Sequence, residues 1–192
     1  MEKRGTMRQN NGGHGPSNRV RDAIRGDSDI HARDAALTAW GNGKPAIVFG
    51  SWKQPKPDGV GKVLVWNKEG AYSGPLNAAF FTTHEEIYVL GSGFRKSAPP
   101  QRSVITTTEH RSVAANQAGH PTPKPIGLME TLIDRCPPGV VADPFAGSGA
   151  TLLAGRNLGR KVIGVEIEER YCEVIAKRLQ QQAFDFTGLE AL

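Results

Sequence analysis

The chain has 192 residues, of which 38% are hydrophobic and 22% charged, enough to bury one sizeable core and too few for two ordinary domains. No apolar run approaches the roughly 20 residues that span a bilayer, and the first ten residues lack the apolar core of a signal peptide, so a cytoplasmic protein with no membrane partner is expected. The net charge of +5 favours a polyanionic partner, while Cys136 and Cys172 stand too far apart for a disulfide framework or a CxxC metal site.

Residues 1–27 form a polar arm, rich in Gly, Asn and Arg, with neither alternation nor a helical stripe. SDIHARDAALTAW follows and reads as a helix. Ser28 or Asp29 would be its N-cap, Ile30, Ala35, Leu37 and Trp40 recur near helical spacing, and Gly41-Asn42-Gly43 would end it. Three short apolar runs then read as strands: PAIVFGS at 45–51, GKVLVWNK at 61–68 and EEIYVLGS at 85–92.

The stretch 93–119 is polar and aperiodic and is expected to be a loop. Between residues 91 and 125 there are five basic residues against one acid, so most of the positive charge sits here. Arg95, Lys96, Arg102 and Arg111 are the candidates for DNA phosphate contacts, which fix register and supply salt-sensitive affinity; a solvated basic loop is the alternative.

After Pro125 the elements alternate. IGLMETLIDRC reads as a helix, PGVVADPF as a strand, ATLLAGRNLG as a helix, KVIGVEI as a strand and ERYCEVIAKRLQQQ as a final helix. Alternation with short connections is the signature of a mostly parallel α/β sheet covered on both faces.

The strand VVAD runs into Pro144-Phe145-Ala146-Gly147-Ser148-Gly149, a glycine turn that opens a helix. Such a turn lies at the carboxyl end of its strand, where open α/β sheets bind ligands and helix amides point outward. Glu166 ends the next strand, where an acidic side chain accepts hydrogen bonds from both hydroxyls of a ribose. A dinucleotide reading is weakened because Leu152 stands where GxGxxG requires its third glycine. Plain helix-on-sheet packing is the remaining alternative for a lone Gly-x-Gly. The five histidines show no metal-ligand spacing, so no metal site is expected.

DPFAGSGAT followed by GVEIEERYCEVIAKRL resembles the S-adenosylmethionine site of the DNA N6-adenine and N4-cytosine methyltransferases. His120-Pro121-Thr122-Pro123-Lys124-Pro125 resembles the HPT-x-KP segment of that family, and its place just before DPF matches the permuted order called the beta class. Trp66-Asn67-Lys68 and His84-Glu85-Glu86 are also similar to the family's strands, so the resemblance spans roughly 28–182.

The resemblance implies a Rossmann-like S-adenosylmethionine-dependent methyltransferase fold acting on double-stranded DNA, as in restriction–modification. Its cofactor contacts carry over to Thr122, Lys124, Asp143, Phe145, Gly147, Ser148, Gly149 and Glu166; Ala150 departs from the usual threonine. It divides the chain into a polar arm at 1–27, a target-base half at 28–94, the basic loop at 95–119, the cofactor half at 120–182 and a tail at 183–192.

One part of the family pattern is missing. An exocyclic amine is a poor nucleophile, and the family holds it with Asp/Asn/Ser-Pro-Pro-aromatic, whose aromatic stacks on a flipped base. Ala98-Pro99-Pro100-Gln101 and Cys136-Pro137-Pro138-Gly139 are the two Pro-Pro pairs, and neither has the polar leader or the aromatic. A further N-terminal segment, a split or decayed enzyme needing a partner chain, or a different solution within residues 1–28 would each account for this. With that strand missing, the sheet is expected to gape between the cofactor half and IVFGSW and to be incomplete at its N-terminal side. Cys136 is expected at the wrong end of the sheet for chemistry, and Cys172 on or near the packing face of the last helix.

Overall fold

The computed structural model describes residues 30–70, 77–96, 99–108 and 123–184. In chain order these hold α1 (His31–Trp40), β1 (Ala46–Gly50), β2 (Val60–Lys68), β3 (His84–Leu90), β4 (Val104–Thr107), α2 (Ile126–Ile133), β5 (Val141–Asp143), α3 (Ala150–Asn157), β6 (Val162–Gly164) and α4 (Glu169–Phe184). Ser28, Asp29, Thr122 and Arg111 lie outside the described residues. Gly41 closes α1 as expected, donating its N–H to the Leu37 carbonyl at φ +104°.

The strands form two sheets, one ordered β1-β3-β2-β4 and the other β5-β6. β3 lies antiparallel between β1 and β2, with Ile87 opposite both Phe49 and Leu64; β2 and β4 are parallel, as are β5 and β6. Among the described residues β1 bonds only to β3 and β5 only to β6, and no strand joins the two sheets.

The basic loop contains a strand that the polar composition hid. Val104, Ile105, Thr106 and Thr107 are all β-branched, and they pair with Val65 to Lys68 while Ile105 drops into the core. One core cluster joins Trp66, Ile87 and Ile105 of the sheet to Leu128, Met129, Leu132 and Ile133 of α2 and Ala150 and Ala154 of α3. Completely burying side chains such as Ile87 and Leu128 contributes about 1.5–3 kcal/mol each, so α2 is the wedge that holds the two sheets together.

Two ties fix the relative direction of the sheets. Glu85, at the start of β3, pairs with Lys124 just before α2, and the Arg95 N–H, beyond the end of β3, bonds the Arg135 carbonyl just past α2. β3 and α2 therefore run alongside each other, and the chain turns back at 134–140 to make β5. Consequently β1, β2, β4, β5 and β6 point one way and β3 alone points the other. The expected parallel arrangement holds for five strands. β3 departs from that arrangement and pairs antiparallel with both β1 and β2.

Cys136 sits at the amino end of β5, as expected, and burial pushes its thiol pKa up. Cys172, expected on or near the packed face, lies beside it and is exposed. The packed stripe of α4 is Tyr171, Val174, Ile175 and Arg178, and Cys172 lies one residue, about 100° of helix, away from it.

Candidate functional site

Gly147 and Gly149 adopt φ +53° and +83°, a region closed to most side chains, and this lets the chain turn sharply from β5 into α3. A Cβ on Gly149 would stand 2.8 Å from Ile175 Cγ1 of α4, so the turn is clamped from below as well as bent. Arg178 of α4 donates through Nη1 to the Ser148 carbonyl, and Ser148 itself is buried. Arg178 was not singled out from the sequence; its place on the packed stripe with Tyr171 and Ile175 was the available signal.

The two acids expected at this turn are both fixed by backbone N–H groups. Asp143 Oδ1 accepts from the Phe145 N–H at 2.9 Å. Glu166 Oε2 accepts from the Gly147 N–H at 2.7 Å, and its Oε1 from the Glu168 N–H at 2.9 Å. The Glu166 carboxylate thus spans from the end of β6 to the glycine turn. Phe145 is 56% exposed beside it and makes the rim of the site apolar. Ala150 is buried in the core cluster against α2, so at this position a methyl group fits where a hydroxyl would need a partner.

Lys124 is placed at the same carboxyl end but not within the turn. Its Nζ donates to Glu85 Oε2 at 2.7 Å and lies 4.8 Å from the Phe49 ring centroid and 5.5 Å from that of Trp66. Lys68 pairs with the other Glu85 oxygen, 4.6 Å from the Trp66 ring on the same strand. Burial works to raise the Glu85 carboxyl, and the charges and hydrogen bonds of Lys124 and Lys68 outweigh it, leaving the pKa below its ordinary value.

The structure does not bring the basic candidates Arg95, Lys96 and Arg102 to this end. Arg95 bonds Asp134 at 3.3 Å and lines an open cleft with Cys136, Val140, Arg160 and Lys161 at the amino ends of β5 and β6. Lys96 follows it, and Arg102 precedes β4, which runs parallel to β2; both are exposed at that same far end.

The DNA methylase family of N6 and N4 methyltransferases matches residues 58–178, which include Glu85, Lys124, the glycine turn and Glu166. The chain belongs to this methylase family. M.ScaI, a type II methyltransferase of Streptomyces caespitosus, is 38% identical over 81 residues, covering 41% of this chain and 26% of the relative. YubD of Escherichia coli (strain K12), named as a methylase, is 31% identical over 134 residues, 67% of this chain and 54% of the relative. Among solved structures, the M1.HpyAVI–SAM complex superposes with a TM-score of 0.50 at 28% identity, covering 62% of this methylase chain and 61% of that one. The chain therefore spans about a quarter of one relative and about half of the other. No described helix is long and apolar enough to cross a membrane.

Proposed function

We propose that this chain is the S-adenosylmethionine-binding part of a cytoplasmic DNA methyltransferase that transfers a methyl group to an exocyclic amine, adenine N6 or cytosine N4. The observation that carries the reading is the Glu166 carboxylate held against the glycine turn by the Gly147 N–H. The donor set suits this cofactor: an acid for the ribose hydroxyls, outward amides at the start of α3, and the exposed Phe145 ring for an apolar surface. When bound, S-adenosylmethionine supplies an electrophilic methyl group on a positively charged sulfur.

The residues of this chain act by binding and orientation. Glu166 fixes the ribose, Asp143 keeps the Phe145 amide and hence the turn in place, and the positive φ of Gly147 and Gly149 lets the backbone approach closely. DNA phosphate contacts are assigned to the segment 95–119, whose remaining basic candidate, Arg111, lies outside the described residues.

The absent Asp/Asn/Ser-Pro-Pro-aromatic favours a second reading, in which the chain binds cofactor and gains its amine-holding groups from another segment or a partner chain. One experiment separates the two. Purified chain is titrated calorimetrically with S-adenosylmethionine, then given unmethylated mixed-sequence DNA and labelled cofactor. Binding with transfer establishes the enzyme, binding without transfer establishes the module, and a folded chain that does not bind sinks both. Asp143→Ala is expected to abolish binding with the fold retained by circular dichroism; unchanged affinity would count against this pocket.

A further inference from the structure

Glu85 is an unusual residue to find at the seam of the molecule. It stands at the second position of β3, mostly buried, with one carboxylate oxygen on Lys124 at 2.7 Å and the other on Lys68. The two lysines come from different elements, Lys68 from the end of β2 and Lys124 from the segment that leads into α2. Phe49 and Trp66, packed edge to face at 6.4 Å, both offer their rings to the Lys124 ammonium, and Trp66 also to that of Lys68. Trp66 is in turn held by its Nε1–H on Thr107 Oγ1 of β4 at 2.9 Å. Four strands therefore contribute to fixing two lysine head groups.

The charges in this cluster do not cancel. Two ammonium groups meet one carboxylate, and a further cation is left over at the carboxyl end of the strands, the end at which the glycine turn and Glu166 also lie. A long lysine side chain ordinarily loses much rotamer entropy when it is fixed. Here that cost has been met by a buried partner and two aromatic faces, before any ligand arrives. Preorganised charge of this kind is suited to a small anionic group, and a carboxylate is the anionic group that S-adenosylmethionine carries.

We propose that Glu85 is a positioning residue, which holds the Lys124 ammonium where it meets the carboxylate end of the cofactor, with Lys68 completing the balance of charge. This inference rests on the cofactor reading given above. It distinguishes two parts of the ligand: Glu166 and the glycine turn serve the nucleoside, whereas Glu85 acts through Lys124 on the amino-acid end. Without the Glu85 charge the two ammonium groups repel and Lys124 leaves its place.

The test compares two ligands by calorimetry, S-adenosylmethionine and 5′-methylthioadenosine, which keeps the nucleoside and lacks the amino-acid end. Glu85→Gln is expected to weaken S-adenosylmethionine about tenfold, the scale of one charge-assisted hydrogen bond, and to change 5′-methylthioadenosine less than twofold. Lys124→Met, which leaves Glu85 paired with Lys68, is expected to give the same selective loss and to make Glu85→Gln silent when the two are combined. Equal losses for both ligands, or unchanged or tighter binding of S-adenosylmethionine in either variant, would overturn the proposal while leaving the cofactor reading intact. Failure of the wild-type chain to bind S-adenosylmethionine overturns both.

Discussion

The glycine turn and the lysine junction lie at the same end of the strands and are built on opposite principles. At the turn, each acid is satisfied by backbone N–H groups of its immediate surroundings, Asp143 by Phe145 and Glu166 by Gly147 and Glu168. At the junction, Glu85 is satisfied by charged side chains from other elements, Lys68 and Lys124. The first arrangement is set by backbone shape and is insensitive to the protonation of any neighbour. The second depends on three ionised groups keeping their charges. Shape governs one half of the site and charge balance the other.

The difference is broken most severely at the turn. Gly149→Ala places a methyl 2.8 Å from Ile175 at a left-handed backbone position, and a loss of roughly 1–3 kcal/mol is expected together with loss of cofactor binding. Thermal unfolding and calorimetry check the two effects. A variant as stable as the parent would show that the clamp beneath the turn yields.

Glu166→Ala comes next. It removes the carboxylate that bridges β6 and the turn, and a loss of cofactor affinity of at least about tenfold is expected with the fold retained. Measured binding within twofold of the parent would take the ribose away from this residue.

Acid sharpens the comparison at the junction, which depends on the charge of Glu85. Glu85 is held below its ordinary pKa, so its contribution to stability is fully present above the unfolded value of about 4.3 and is lost as pH falls through the lower, folded value. The stability difference between the parent and Glu85→Gln, measured by denaturant unfolding, should be constant from about pH 5 to 8 and narrow below about pH 4. A difference undiminished at about pH 2 would show that the ion pairs do not support the fold. The smallest effect is expected at the far end of the sheet: Arg102→Ala should alter stability by less than about 0.5 kcal/mol and DNA affinity less than twofold, read by unfolding and by a salt-controlled binding titration.

What the sequence disclosed follows the same division. The turn was legible because its determinants are contiguous: Asp143 to Gly149 occupy one stretch, and Glu166 stands just past the next strand. The stripe of Tyr171, Val174 and Ile175 likewise announced α4, with the exposed Cys172 just off the packed face. The junction was not legible, since Lys124 and Glu85 stand 39 residues apart and no local pattern says that they meet. β4 was hidden for a related reason. Its threonines read as polar loop, and their pairing with β2 supplies the preference that composition lacks. The reversal of β3 depends on which strand edge is free when the chain returns, a property of the assembled sheet.

Trp66 lends the junction a spectroscopic consequence. It is 2% exposed with ammonium groups near its ring, while Trp40 and Trp52 are 41% and 73% exposed. A soluble quencher such as acrylamide will silence the outer two indoles and spare the inner one. The remaining emission then reports on the charges around that ring, so displacement of either lysine by an arriving ligand becomes visible as a shift in colour, with no label attached.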